Sequence, residues 1–371
     1  MDQGKVLLTG ATGFLGSAIL IDILKAGYTV NIAVRSEAKA KLIREAPAIA
    51  SLGKDSACKY FIVPDLTAEG CLDEATAGTA LVIHCATPMP FTDGDMEQDV
   101  IIPAVKCTLR ALESAQKAGT VKRVVVTSSL GAFAGPELVG GTYVPPEEIF
   151  LGEKPNDDFG PPFLNPLVGY CAAKTAALKR SLEWMDKAVA EGSINFDLIN
   201  LAPCYIFGKV PLANSLKDLY ATSNQVLLPL ITGAGRSPDG KPGPATLCGG
   251  LTVDDFVETV HRSLDLDGVK TPSSGPSRHV VTYAYSHKFE WNEVFPIIAR
   301  KWPEEVKKGI LAGEGDYPTK PNINFAMEEF TKTYGGFKLQ GVEGILDALV
   351  PQYLELLEKE KSASASASAS A

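Results

Sequence analysis

Residues 5–16 read Lys-Val-Leu-Leu-Thr-Gly-Ala-Thr-Gly-Phe-Leu-Gly. Lys5 to Thr9 is apolar enough for a buried strand, and Gly10, Gly13 and Gly16 follow at steps of three. Ser17 to Ala26 then carries Ala18, Ile19, Ile21, Ile23 and Leu24 at helical spacing. A strand that turns through glycines into a helix suits a phosphate. The turn needs residues without Cβ, the backbone must come close to a pyrophosphate, and the helix N-terminus offers free N–H groups and a positive dipole end. The spacing is G-x-x-G-x-x-G, a variant of the G-x-G-x-x-G dinucleotide fingerprint.

The rest of the chain repeats strand and helix. Tyr28 to Val34, Ala57 to Val63, Leu81 to Cys85, Val121 to Val126 and Phe196 to Leu201 read as strands, with Val280 to Tyr285 as a further candidate. Helices are expected over Asp99 to Ala118, with Pro103 near the start, and from Tyr170 to Val189. The alternation predicts an α/β fold, a Rossmann-type doubly wound parallel sheet covered on both faces. Residues 1–203 would form the dinucleotide-binding domain, with contributions from about 250–285. Residues 204–360, with shorter helices (Thr252 to Leu264, Glu290 to Lys301, Gly344 to Glu360) and Gly/Pro-rich loops, would form a smaller mixed α/β substrate region. The alternating Ser-Ala run of residues 361–371 reads as a disordered tail.

Charge narrows the partners. A net charge of −9 argues against nucleic acid and anionic membranes. No apolar run reaches the length of a bilayer span. Only Met1 to Gly4 precede the first strand, which leaves no room for a targeting peptide, so a cytoplasmic protein is expected. The seven cysteines (58, 71, 85, 107, 171, 204, 248) show no C-x-x-C pair and read as reduced thiols. None of the four histidines reads as a base or a metal ligand, and no metal is expected.

Two positions bear on the cofactor. The end of the second strand faces the adenosine ribose in a dinucleotide fold. An acidic residue there favours NAD, and a basic one pairs with the 2′-phosphate of NADP. Here Arg35 follows three neutral residues, with Lys39 one helical turn on. Asp65, after the third strand, would accept from the adenine amino group.

The chemistry is sought at Tyr170 and Lys174, four apart on a helix and so on one face. An ammonium beside a phenol stabilises the phenolate and is expected to lower the tyrosine pKa. The chain holds three Tyr-x-x-x-Lys spacings, but Tyr205/Lys209 crosses a strand end and Tyr334/Lys338 contains Gly335-Gly336. Ser128 and Ser129, at a strand's carboxyl end, would each suit donation to a substrate oxygen as charge develops on it.

Taken together, Thr9-Gly-Ala-Thr-Gly-Phe-Leu-Gly16, Asp65-Leu66, His84-Cys-Ala-Thr-Pro-Met89, Thr127-Ser-Ser129, Tyr170-Cys-Ala-Ala-Lys174 and Ala202-Pro203 with Phe207-Gly208 resemble the extended short-chain dehydrogenase/reductase family. Val34-Arg-Ser-Glu-Ala-Lys39 and Thr252-Val-Asp-Asp-Phe256 look most like the fungal NADPH-dependent aldehyde and ketone reductases of its dihydroflavonol-reductase-like group. The resemblance implies Ser129, rather than Ser128, as catalytic residue, Tyr170 as proton donor and Lys174 as ribose ligand. It implies NADPH bound by Gly10, Thr12, Gly13, Phe14, Leu15, Gly16, Arg35, Lys39, Asp65, Leu66, Ala86, Thr87, Pro203, Cys204 and Ile206. The implied reaction is hydride transfer to a ketone or aldehyde, by a monomer or homodimer with a small-molecule carbonyl substrate. Met89, Phe91, Phe133 and Tyr205 are the expected apolar pocket walls, and Cys171 and Cys204 should flank the site.

Four positions depart from the family's pattern. Ala134 stands where plant dihydroflavonol reductases carry a substrate-contacting Asn, which argues against a flavonoid. Cys107 replaces a glycine, the interval from Ser129 to Tyr170 is long, and Ile102-Pro103 occupies the region of the helix asparagine common in short-chain enzymes. Two other readings stay open on the same fold: a nucleotide-sugar epimerase or dehydratase, and a non-catalytic NADP-sensing protein.

Overall fold

The computed structural model describes residues 3–87, 94–135, 149–151, 155–158, 160–234, 249–272, 279–317, 323–325 and 327–369. Its strands are β1 (Lys5–Thr9), β2 (Thr29–Val34), β3 (Cys58–Ile62), β4 (Leu81–His84), β5 (Arg123–Thr127), β6 (Ile149–Leu151), β7 (Asp197–Pro203), β8 (Tyr205–Phe207), β9 (Gly250–Thr252), β10 (Val280–Tyr285) and β11 (Ile323–Phe325). Seven of them form one sheet in the order β10-β7-β5-β4-β1-β2-β3, every pair parallel. The order reverses at β1, which lies between β2 and β4. Such a switch point opens a crevice at the strands' carboxyl ends. This is the doubly wound architecture expected from the strand and helix alternation.

The strands are apolar on both faces because both are covered. Leu7, Val82, Val124, Leu198 and Val280 are register partners across five strands and share one core. Leu8, Ile83, Val125 and Ile199, one residue on, face the opposite core. The helices used below are α1 (Phe14–Ala26), α2 (Glu37–Glu45), α3 (Ile102–Ala118), α4 (Pro166–Ala190), α5 (Val253–Ser263) and α6 (Val342–Ala369). Ala111, Leu112 and Ala115 of α3 and Met185 of α4 cover the first face. Ile19, Leu20 and Ile23 of α1 and Phe256 and Val260 of α5 cover the second.

Local chemistry sets the helix ends. Asn165 accepts from the Val168 N–H at 3.0 Å and Pro166 follows, which starts α4. Thr252 and Asp255 close a capping box on α5, with Asp255 N to Thr252 Oγ1 at 2.9 Å. Ahead of α3, Glu97–Ile101 is a π-helical turn, so helix begins before the expected Asp99. Pro103 has no N–H to return to the carbonyl four residues back, and the turn before it widens.

A second core gathers Phe207, Leu228, Phe295, Ile298, Ile345 and Leu349, all from residues after 206. Phe14 packs against both cores. The last helix, α6, runs on through the start of the Ser-Ala stretch to Ala369. Alanine has the best intrinsic helix propensity, and the run extends a helix already anchored by Ile345, Leu349 and Leu356. Among the described residues no helix is long and apolar enough to cross a membrane, and no His/Cys/Asp/Glu group is placed to hold a metal.

Candidate active site

The glycine loop sits at the carboxyl end of β1. Gly10 has φ +78°, and a Cβ there would meet the backbone of Cys85 and Ala86 at 2.8–2.9 Å. Gly13 N donates to Gly10 O at 2.9 Å, which closes the turn. A Cβ on Gly16 would lie 2.1 Å from Gly10 O, so α1 rests directly on the loop. Gly13 caps α1 without a side-chain acceptor, and the first turn carries no acidic residue. The first N–H groups of a helix have no acceptor within it. This cradle therefore fits a pyrophosphate: donors point outward and backbone lies where side chains would block. Thr12, Phe14 and Leu15 are half-buried along it.

The other expected cofactor residues spread along the same edge. Thr9 pairs in register with Ala33, and Arg35 stands two residues beyond, exposed, as is Lys39. Between them Ser36 caps α2 by accepting from the Lys39 N–H. Asp65 is exposed after β3. Its Oδ1 accepts from Thr67 N at 2.8 Å and Thr67 Oγ1 at 2.7 Å, which holds the carboxyl below the usual range. Leu66 packs half-buried against the core beneath α3 and α4. Ala86 N donates to Thr9 Oγ1 at 3.3 Å, tying the start of the Ala86-Thr87 segment to β1. Pro203 ends β7, and Cys204 N donates to Tyr285 O at 3.2 Å. Ile206 is buried in the main core.

The three expected catalytic side chains meet where β5 ends. Ser129 caps the short turn Leu130–Ala132, its Oγ accepting from Gly131 N at 3.0 Å, and it lies close enough to Tyr170 to act on the phenol's pKa. Tyr170 and Lys174 leave one face of α4, with the Lys174 Nζ 5.8 Å from the centre of the Tyr170 ring. Lys174 is buried and donates to Thr127 O at 3.0 Å. Ser128, by contrast, is buried beneath the edge, which separates the two serines. The three groups can hold a carbonyl oxygen between hydroxyl donors, with a cation behind the phenol.

The profile of the family described as NAD dependent epimerase/dehydratase matches residues 6–227. The chain belongs to this family. The ketoreductase CTB6 of Cercospora nicotianae is 31% identical over 369 residues, which cover 97% of this chain and 98% of that protein. An anthocyanidin reductase ((2S)-flavan-3-ol-forming) of Vitis vinifera is 28% identical over 93% of this chain and 94% of its own. Yeast methylglyoxal/isovaleraldehyde reductase Gre2, solved with NADPH, superposes with a TM-score of 0.75 at 23% identity, over 96% of this chain and 99% of that one. Within the epimerase/dehydratase family, this chain is an extended short-chain oxidoreductase of the reductase type.

The electrostatics of this family member differ from the spacing argument in one respect. Burial pushes the Tyr170 phenol up to about 12, with the neighbouring Ser129 acting in the lowering direction. The expected net lowering by Lys174 is not present. The lysine is itself desolvated, its pKa brought down to about 8. The flanking thiols are also raised by burial, Cys171 to about 12 and Cys204 to about 11, so neither is a ready nucleophile at neutral pH. Of the expected pocket walls, Met89 and Phe91 lie outside the described residues, as does Cys248. Phe133 is buried in a core with Leu178 and Phe325, and Tyr205 is half-buried beside Phe207.

Sequence reasoning missed two supports. Asn156 Nδ2 donates to Ala134 O at 3.0 Å and Gly131 O at 3.3 Å, and Asn156 N donates to Ala132 O at 2.8 Å. It thereby pins the turn that Ser129 opens. His84, on β4, places Nδ1 3.0 Å from Thr9 Oγ1. The Asn sits in a Pro/Gly-rich loop with no periodic signal, and His84 carries a signal only through the resemblance of its segment, His84-Cys-Ala-Thr, to the family.

Proposed function

We propose that the chain is an NADPH-dependent carbonyl reductase that converts a ketone or aldehyde to an alcohol. The observation that carries this reading is the convergence of Ser129, Tyr170 and Lys174 beside the glycine cradle, with the Lys174 Nζ 5.8 Å from the centre of the Tyr170 ring. NADPH supplies the hydride when bound. The cradle of Gly10, Gly13 and Gly16 would hold its pyrophosphate, Arg35 and Lys39 its 2′-phosphate, and Lys174 its nicotinamide ribose. Asp65 would accept from the adenine, with Ala86, Thr87, Pro203 and Cys204 along the cofactor.

On the protein side, Ser129 and Tyr170 orient the carbonyl by donating to its oxygen, where negative charge grows in the transition state. A phenol kept neutral by burial remains a proton donor across the physiological range. It gives its proton to the forming alkoxide, and Lys174 steadies the phenolate left behind. We read the second core after residue 206 as the substrate region.

Tyr170→Phe should lower kcat by at least about 100-fold, the usual scale of a positioned acid. NADPH binding, followed by cofactor fluorescence, should stay near wild type. A Tyr170→Phe enzyme that turns over normally on a panel of aldehydes and ketones would remove the assignment. Tightly co-purified NAD, with no NADPH oxidation by any carbonyl, would favour an epimerase or dehydratase instead.

A further inference from the structure

Helices α3 and α4 cover one sheet face, and just below the carboxyl edge they leave a cavity against it. Polar side chains line it from five elements: His84 on β4, Ser128 at the end of β5, Asn200 on β7, Thr108 on α3, and Lys174 and Ser181 on α4. No carboxylate is among the lining residues. The sheet side is a register row. Thr9, His84, Val126, Asn200 and Thr282 are successive partners across five strands, so their side chains share one face.

His84 is 2% exposed, and Thr9 Oγ1 fixes its ring through Nδ1. Its other nitrogen, Nε2, is buried and has no hydrogen-bond partner among the described residues. Opposite, Lys174 spends one of three N–H donors on Thr127 O. A buried ammonium without a carboxylate needs further acceptors. Water can accept from an ammonium and also bond either tautomer of an imidazole.

We propose that His84 is a positioning residue for proton transfer: its Nε2, helped by Asn200, anchors internal water that solvates the Lys174 ammonium from below and keeps that lysine charged beneath Tyr170. This rests on the reading of Tyr170 and Lys174 as the proton-transfer pair. Burial lowers His84 to about 4, so the imidazole is neutral at working pH and acts as a dipole rather than a charge. The titratable groups facing Lys174 are Tyr170 on its own helix and His84 and Cys85 on β4, the thiol pushed up to about 11. The residues presented by β5, β7 and α3 are Thr127, Ser128, Asn200 and Thr108, none of which titrates. With the water anchor removed, the desolvated lysine loses its proton at lower pH.

The test is the pH profile of kcat for carbonyl reduction. His84→Leu should move the alkaline limb to lower pH by about one unit. Asn200→Leu should move it the same way by less, and His84→Gln, which keeps a polar group there, should restore most of the wild-type limb. Wild-type limbs in folded His84→Leu and Asn200→Leu would overturn the proposal. A second readout needs no turnover and no His84 variant: nitrogen NMR of labelled histidine. The His84 ring signals should report a neutral ring from pH 5 to pH 8 (bounds set roughly by a pKa depressed below the usual His value) and should shift in Lys174→Met. Signals unmoved by Lys174→Met would overturn it even if the leucine variants failed to fold. An active Tyr170→Phe enzyme sinks the pair itself. An inactive Tyr170→Phe enzyme, together with wild-type limbs in His84→Leu and Asn200→Leu, sinks only the water anchor.

Discussion

At the scale of single residues, the proposed preference for NADPH rests on Arg35. It stands exposed beyond the strand partnered with the loop, where a phosphate can be gripped from solvent. A hydrogen bond to a charged group is worth about 1.5–3 kcal/mol, so Arg35→Ala should weaken NADPH roughly 10- to 100-fold and leave NADH nearly untouched. Fluorescence titration with both cofactors checks this, and equal losses would take Arg35 away from the 2′-phosphate. Tyr170 and Lys174 could be read in the chain because four residues make one helical step. Ser129 could be told from Ser128 only by resemblance, since both end the same strand; their different burial is a matter of tertiary packing. His84 and Asn200 were illegible as a pair. They come from strands separated by more than a hundred residues and share a face only because of strand register.

At the scale of elements, the joint between β1 and α1 is the least forgiving. Any side chain at position 16 runs into the carbonyl of Gly10, and both parties are backbone, so no rotamer change relieves it. Gly16→Ala should cost about 2–4 kcal/mol, in the upper range for a single substitution, and weaken NADPH binding as the loop is pushed aside. Gly160→Ala, where nothing lies within 4 Å, serves as the control. Urea unfolding of the two variants measures the difference, and equal midpoints would contradict it. The seven sheet strands were visible as β-branched and apolar runs, with ends displaced by at most two residues. The widened turn before Pro103 and the continued helix of residues 361–369 were not, because each depends on how a neighbouring stretch of helix has already formed.

At the scale of the whole molecule, one buried arginine ties the sheet to chain that comes much later. Arg123 on β5 is 1% exposed, with Nε and Nη2 at 2.7 and 2.8 Å from the two carboxylate oxygens of Asp197 on β7. Its remaining donors reach the carbonyls of Ser263, Asp265 and Val269. Asp197→Ala leaves that guanidinium buried without its counter-charge, which typically costs about 3–5 kcal/mol. Thermal unfolding should show a clearly lower midpoint, and an unchanged one would mean that the three carbonyls suffice. The placement of β10 has a consequence for synthesis. Its partner β7 is complete roughly eighty residues before β10 is, and at ribosomal speeds of about 5–20 residues per second the gap lasts on the order of 4–16 s. Throughout that time the nascent protein carries an apolar strand with an open hydrogen-bonding edge. A chaperone that shields strand edges would therefore have its work in the interval between β7 and β10.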